Sequence, residues 1–201
     1  MDSLFDIELQ RCAGELPEQV VVPEGVTAIA ADAFAGQRNV RSIELPSTVR
    51  EIGERAFVGC VSLESIVLPD GLEKLGARAF RNCVELKGIN IPSALEVIPE
   101  AAFSQCMNLQ RVTGGEGVYG ICAEAFSGCK RLETCEPLAH AVDIGDQAFN
   151  WCNVLEPPTF PADMVYIGEF AFRHCLKFAD VRLSPAHVEY LAPNAFAGCA
   201  Q

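Results

Sequence analysis

Ten cysteines, three histidines and the run Gly114-Gly115-Glu116-Gly117 are the residues of this 201-residue chain whose types could do chemistry. A thiol can act as nucleophile, metal ligand or disulfide partner, and an imidazole as base or ligand. Spacing decides among these uses. No two cysteines stand in a CxxC pair, so a zinc site is not expected. His140, His174 and His187 follow no catalytic or zinc pattern. His174 and Cys175 are adjacent, so their side chains diverge and cannot form a nucleophile–base pair. The glycine run lacks the lysine and Ser/Thr of a phosphate-binding loop. Seven cysteines (Cys60, Cys83, Cys106, Cys129, Cys152, Cys175 and Cys199) each follow a phenylalanine by three residues. That regularity predicts a stacked, inward, reduced column and not a set of bridges. Cys12, Cys122 and Cys135 lie off this column. They are the candidates for a reactive thiol, with a Cys122–Cys135 bridge as an alternative.

The column belongs to a longer metre. Phenylalanine stands at 34, 57, 80, 103, 126, 149, 172 and 196, in six steps of 23 and a last step of 24. A fixed period of this size marks a solenoid. Five residues before each Phe is Ile or Leu, six after is a large apolar residue, and nine and eleven after come pairs such as Ile66/Leu68. Proline often follows at twelve (Pro46, Pro69, Pro92, Pro161). A stretch such as LESIVL alternates apolar and polar residues and reads as a short strand that the proline closes. GERAFVGC reads as a short helical turn. In that reading Gly53, Gly76, Gly145 and Gly168 permit its entry, and acids such as Asp32, Glu54, Glu100, Glu124, Asp146 and Glu169 complement a helix start.

The expected fold is therefore an α/β repeat: a solenoid of about eight coils, with a parallel sheet on one face and short helical turns on the other. Residues 1–16 are expected to cap it, and 17–201 to form the solenoid as one domain. The net charge of −12 opposes nucleic acid and anionic membrane surfaces. No apolar run is long enough for membrane insertion. The N-terminus carries no signal-peptide pattern, so the chain as it stands is expected in the cytoplasm, with a secreted or surface location if a leader has been removed.

The pattern IGxxAFxxCxxLxxIxLPxxV resembles the BspA-type leucine-rich repeat over roughly residues 17–199. Members of that family are mostly bacterial or protist, many are surface-exposed, and many bind host proteins or other cells. The resemblance implies a leucine-rich-repeat scaffold with an adhesion-like role, and it carries over no catalytic residue, cofactor or metal. The chain departs from the pattern in its middle. Gly114 and Gly115 replace Leu-Pro, Cys122 replaces glycine, and Cys135 and Pro158 replace Ile, so weaker or shorter strands are expected there.

Eight and ten residues after each Phe, side chains should face away from the core. Ser65, Val67, Asn90, Arg111, Thr113, Thr134, Glu136, Thr159 and Arg182 on this strip are the candidate contacts for a protein partner, with no aromatic anchor among them. The alternative is self-association as a structural element, a homo-oligomer through the C-terminal end. An enzyme working through an off-column cysteine ranks last.

Overall fold

The computed structural model describes residues 7–9, 12, 14–178, 181, 183 and 188–199. The chain winds as a parallel solenoid with a Phe at every corner. Two ladders of strands run along the stack, where the sequence pattern had suggested one sheet.

The first ladder is the expected one. It comprises β2 (Gln19–Val21), β4 (Ser42–Glu44), β6 (Ser65–Ile66), β8 (Gly88–Ile91), β10 (Arg111–Gly114) and β12 (Thr134–Cys135), paired as β2-β4-β6 and β8-β10-β12. The second ladder holds the Ile or Leu five before each Phe. It comprises β1 (Ile7–Leu9), β3 (Val26–Ile29), β5 (Glu51–Ile52) and β7 (Lys74–Leu75), then β9 (Val97–Ile98), β11 (Gly120–Ile121), β13 (Asp143–Ile144), β14 (Tyr166–Ile167) and β15 (Tyr190–Leu191). Every pairing is parallel, and Ile52↔Leu75 and Ile121↔Ile144 show equivalent residues facing each other.

Strands of two residues persist because each is tied to its neighbours. The N–H four before Phe donates to the preceding winding: Gly53 to Ile29 O at 2.8 Å, Gly76 to Ile52 O at 2.7 Å, Gly145 to Ile121 O at 2.8 Å. In the next position of this series stands Pro99, which has no N–H to give Leu75. The second ladder is interrupted there, between β7 and β9. The glycines of this column serve close approach and not helix entry. A Cβ on Gly53, Gly76 or Gly145 would stand 2.5, 2.3 or 2.6 Å from a backbone nitrogen of the preceding winding.

The corners are not helical. Among the described residues the helical segments are two 3-10 turns, Glu136–Ala139 and Leu176–Phe178. Two before Phe, the residues Asp32, Arg55, Arg78, Ala101, Glu124, Gln147 and Phe170 have φ between 50° and 59°. Two after Phe the backbone is left-handed again, as at Gly36, Gly59, Asn82, Gln105 and Gly128. An α-helix cannot contain such residues, so the corner is a run of tight turns. Alternate amides close those turns and the others reach forward. Ala33 N donates to Ala30 O within the winding, whereas Phe34 N donates to Ala56 O of the next at 2.7 Å. Phe57 N to Ala79 O and Phe80 N to Ala102 O repeat the pattern. Two of the acids expected to complement a helix start instead meet arginines of an adjacent winding: Arg55 grips Asp32 through two nitrogens, at 3.0 and 2.6 Å, and Arg78 pairs with Glu100.

Between ladders and corners lies one core. Phe34 through Phe172 are buried and stacked ring on ring, with centroids 4.9–5.4 Å apart and planes within 16° of parallel. Each buried ring contributes about 1.5–3 kcal/mol through burial, and offset stacking adds roughly 0.5–1.5 kcal/mol. The cysteine column lies beside them. Each thiol donates to the Phe carbonyl of the preceding winding, from Cys60 to Phe34 O at 3.1 Å through Cys199 to Phe172 O at 3.2 Å. Gln37, in the cysteine position of the first corner, also reaches the preceding winding: its Nε2 donates to Gly14 O at 2.7 Å and its Oε1 accepts from Leu16 N at 3.2 Å.

The irregular middle is only partly as expected. β10 is four residues long and pairs with β8 over all of them, because Gly114 accepts a left-handed φ of 71° and its N–H is taken by the Glu136 carboxylate at 2.7 Å. β12 is short and runs into the 3-10 turn Glu136–Ala139. In the next winding, where Pro158 replaces Ile, residues 157–161 form no strand.

Candidate interaction surfaces

On the first ladder, alternation turns Ile43, Ile66, Ile89 and Val112 inward and their neighbours outward. Pairing sets the outward residues in rows: Gly88, Arg111 and Thr134 are successive partners, and Asn90 faces Thr113. Ser65, Val67, Asn90, Arg111, Thr134 and Glu136 are exposed, Val67 by 74%, and Thr113 is half-buried. The Thr113 hydroxyl donates to Asn90 Oδ1 at 3.0 Å. Thr159 is exposed but lies on no strand, outside this file, and Arg182 lies outside the described residues. On strands the strip therefore runs from Ser42 to Glu136, with its pairing broken between β6 and β8. A row of charges borders it. Arg41 reaches Glu18 at 3.5 Å and Glu64 at 2.9 Å, and Lys87 reaches Glu64 at 2.7 Å. Lys87 first, and Arg41 second, hold the Glu64 carboxyl below the usual carboxylate range. Such exposed pairs stabilise little, up to about 1 kcal/mol each; they fix the pattern of charge along the strip's edge.

The second ladder turns a different set outward. The protein has three tyrosines, and all stand six or seven residues before a corner Phe: Tyr119, Tyr166 and Tyr190. Tyr119 is 53% exposed, Tyr190 49% and Val165 41%, with Val142 and Tyr166 half-buried beside them. The Tyr166 and Tyr190 rings stack at 5.1 Å, 9° from parallel. The Tyr166 hydroxyl donates to Asp146 Oδ1 at 3.3 Å, and the same oxygen accepts from Glu169 N at 2.8 Å. Partial desolvation first, then the Asp146 charge, raise the Tyr166 phenol above its ordinary range. Sequence reasoning missed this face because it placed no strand there. The signal available was the shared column of Tyr166 and Tyr190, with Tyr119 one position before it.

The thiols are not arranged for chemistry. All ten cysteines are free. Burial pushes Cys60 and Cys106 up to about 12, and raises Cys83, Cys129, Cys135 and Cys152 strongly. A thiol so raised is a poor nucleophile near neutral pH. Cys122, half-buried after β11, is raised by burial and then by Asp143 and Glu100, and Cys12 by burial. Cys122 and Cys135 belong to different ladders. His174 lies against Trp151 with ring centroids 4.0 Å apart and planes tilted by 31°, His140 is exposed, and His187 lies outside the described residues. No group of three or more His, Cys, Asp or Glu among the described residues is placed to hold a metal ion.

A family model described as the BspA type leucine rich repeat region matches residues 12–133 and 120–201, with six copies. Three solved structures share the fold. A leucine-rich repeat protein from Bacteroides ovatus is 30% identical with a TM-score of 0.64, covering 87% of this chain and 54% of its own. The Treponema pallidum leucine rich repeat protein is 29% identical with a TM-score of 0.59, covering 81% and 90%. A leucine rich cell surface protein from Faecalibacterium prausnitzii is 25% identical with a TM-score of 0.56, covering 75% and 49%. The chain thus spans about half the length of the first and third. No curated protein matches it.

Proposed function

Because the chain belongs to the BspA-type leucine-rich repeat family, we propose that it is a non-enzymatic scaffold that holds a protein partner on its outward ladder faces. The observation that carries this reading is the register. Equivalent outward side chains recur winding after winding over a stacked, rigid core, so a partner meets a fixed array of contacts. The first-ladder strip, with Ser65, Val67, Asn90, Arg111, Thr113, Thr134 and Glu136, is one such array; Thr159 and Arg182 are its proposed extension. The raised thiols support a role without nucleophilic catalysis. A surface or secreted setting accords with the description of the F. prausnitzii relative as a cell surface protein; a cytoplasmic setting is the competing reading.

The test is capture of partner proteins by immobilised chain from the material its source contacts and from the source's own lysate. Arg111→Glu with Thr134→Lys should abolish capture through the strip without altering the melting temperature. Unchanged capture would move the site off the strip, and the absence of any specific capture would sink the scaffold reading. A second reading, self-association, draws on the exposed apolar residues Val165, Tyr190 and Leu191. A strict monomer at high concentration by light scattering would exclude it.

A further inference from the structure

The second ladder differs in charge between its two halves. In the N-terminal half Lys74 reaches Glu51 on its face, and at the adjoining corners Arg55 and Arg78 pair with Asp32 and Glu100. In the C-terminal half the equivalent segments 115–123, 138–146, 161–169 and 185–193 contain no Lys or Arg. They contain Glu116, Asp143, Asp146, Asp163, Glu169 and Glu189. None of the ion pairs among the described residues involves these six acids. The three tyrosines of the protein fall in the same four segments.

We propose that this face, across the four windings from Tyr119 to Tyr190, docks a lysine- and arginine-rich extended segment of a partner protein. The inference rests on the scaffold reading and names a surface and a partner chemistry for it. Charge complementarity selects the occupant. A cationic segment meets exposed carboxylates from segments that contain no Lys or Arg, whereas an acidic or phosphorylated one is repelled. The aromatic rings supply what the carboxylates lack. Tyrosine gives large contact area with few torsions to freeze, and its ring face attracts ammonium and guanidinium groups. Tyr166 and Tyr190 are already stacked and Tyr166 is anchored on Asp146, so little order must be imposed on binding. The windings repeat at roughly 4.8 Å, so four of them span about 14 Å, the length of some four or five extended residues.

The experiment is fluorescence anisotropy with the full chain and a labelled hexapeptide of alternating arginine and glycine, with the glutamate–glycine counterpart as control. The arginine peptide should bind saturably, weaken steeply as salt rises, and outcompete the glutamate peptide. Tyr190→Ser and Tyr119→Ser, both at well-exposed positions, should each weaken it by about tenfold. Asp143→Asn with Glu189→Gln should flatten the salt dependence. The Arg111→Glu, Thr134→Lys pair on the other ladder should leave the peptide's affinity unchanged. The proposal is overturned if the two peptides bind alike, if the tyrosine variants bind as wild type, or if the tyrosines govern self-association with no peptide binding. A partner lost on the strip variant but retained by the tyrosine variants keeps the scaffold reading and removes only this face.

Discussion

The first ladder has more of the longer strands and the shorter reach; the second, mostly of two-residue strands after β3, runs from Ile7–Leu9 to Tyr190–Leu191, and each ladder has one interruption in its pairing. Persistence in this molecule therefore does not follow strand length. At Pro158 and Pro99 it follows whether a single column keeps its inward side chain or its amide. The first ladder has no strand where Pro158 stands in place of the inward Ile. The second breaks where Pro99 removes one donor, although Leu75 and Ile98 remain buried on either side. The two faces also differ in what they display: small polar residues on one, the tyrosines and an acidic rim on the other.

The broadest way to break the contrast is to remove what both ladders share. The buried thiol column is neutral in the fold, with Cys60 and Cys106 held at about 12 against an ordinary thiol value near 9. A raised acid stabilises the fold fully below its unfolded value and loses that contribution as pH climbs toward the folded one. Each buried thiol should thus withdraw roughly 1.4 kcal/mol per pH unit above 9. Circular dichroism against pH should show cooperative unfolding of both ladders between 9 and 12. A chain equally stable to urea at pH 8 and pH 11 would contradict the burial of the column.

Next in size is Phe103→Ala, which opens the middle of the ring stack. It should cost about 3–5 kcal/mol, and urea unfolding should separate into two transitions, since each winding touches only its neighbours. An unchanged melt would mean the rings do not couple the halves.

A matched pair of glycines sharpens the contrast itself. On the second ladder, a Cβ at Gly145 meets Ala123 N at 2.6 Å; on the first, a Cβ at Gly88 has as its nearest neighbour Arg111 O at 3.6 Å. Gly145→Ala should destabilise by about 1–3 kcal/mol, and Gly88→Ala should be neutral or stabilising by up to about 1 kcal/mol. Equal effects would show the two ladders to be equally tolerant of approach.

The smallest effect is kinetic. Cys122, half-buried on the second ladder, should alkylate slowly in the native chain, and Cys135, buried on the first, only after unfolding. Mass spectrometry of peptides after iodoacetamide treatment reads the order, and a faster Cys135 would reverse the assignment of inward and outward positions.

The first ladder was legible because six alternating residues and a proline carry a period. The second was hidden because two residues carry none; Ile52 or Ile121 could be recognised as core, but not as strand. The corners misled for a related reason. Left-handed backbone announces itself through glycine, and here Arg55, Arg78, Ala101 and Gln147 adopt it, each anchored by neighbouring windings, so Ala-Phe framed by acids read as helix. The strip residues Asn90, Arg111 and Thr134 came out where alternation put them, while Thr159 did not, because proline had already ended its strand. The tyrosine face needed the second ladder before its columns had a direction.

The forward gift of alternate corner amides has a consequence for how such a chain can change. Donor and acceptor always occupy corresponding places one turn apart, so excision of residues 80–102 would join Ala79 to Phe103 with every neighbour's partner still supplied. Lengthening or shortening by whole 23-residue units is thus a conservative edit, whereas a single inserted residue inside a corner is not. A gene encoding this protein can be reshaped in large strides more safely than in small ones.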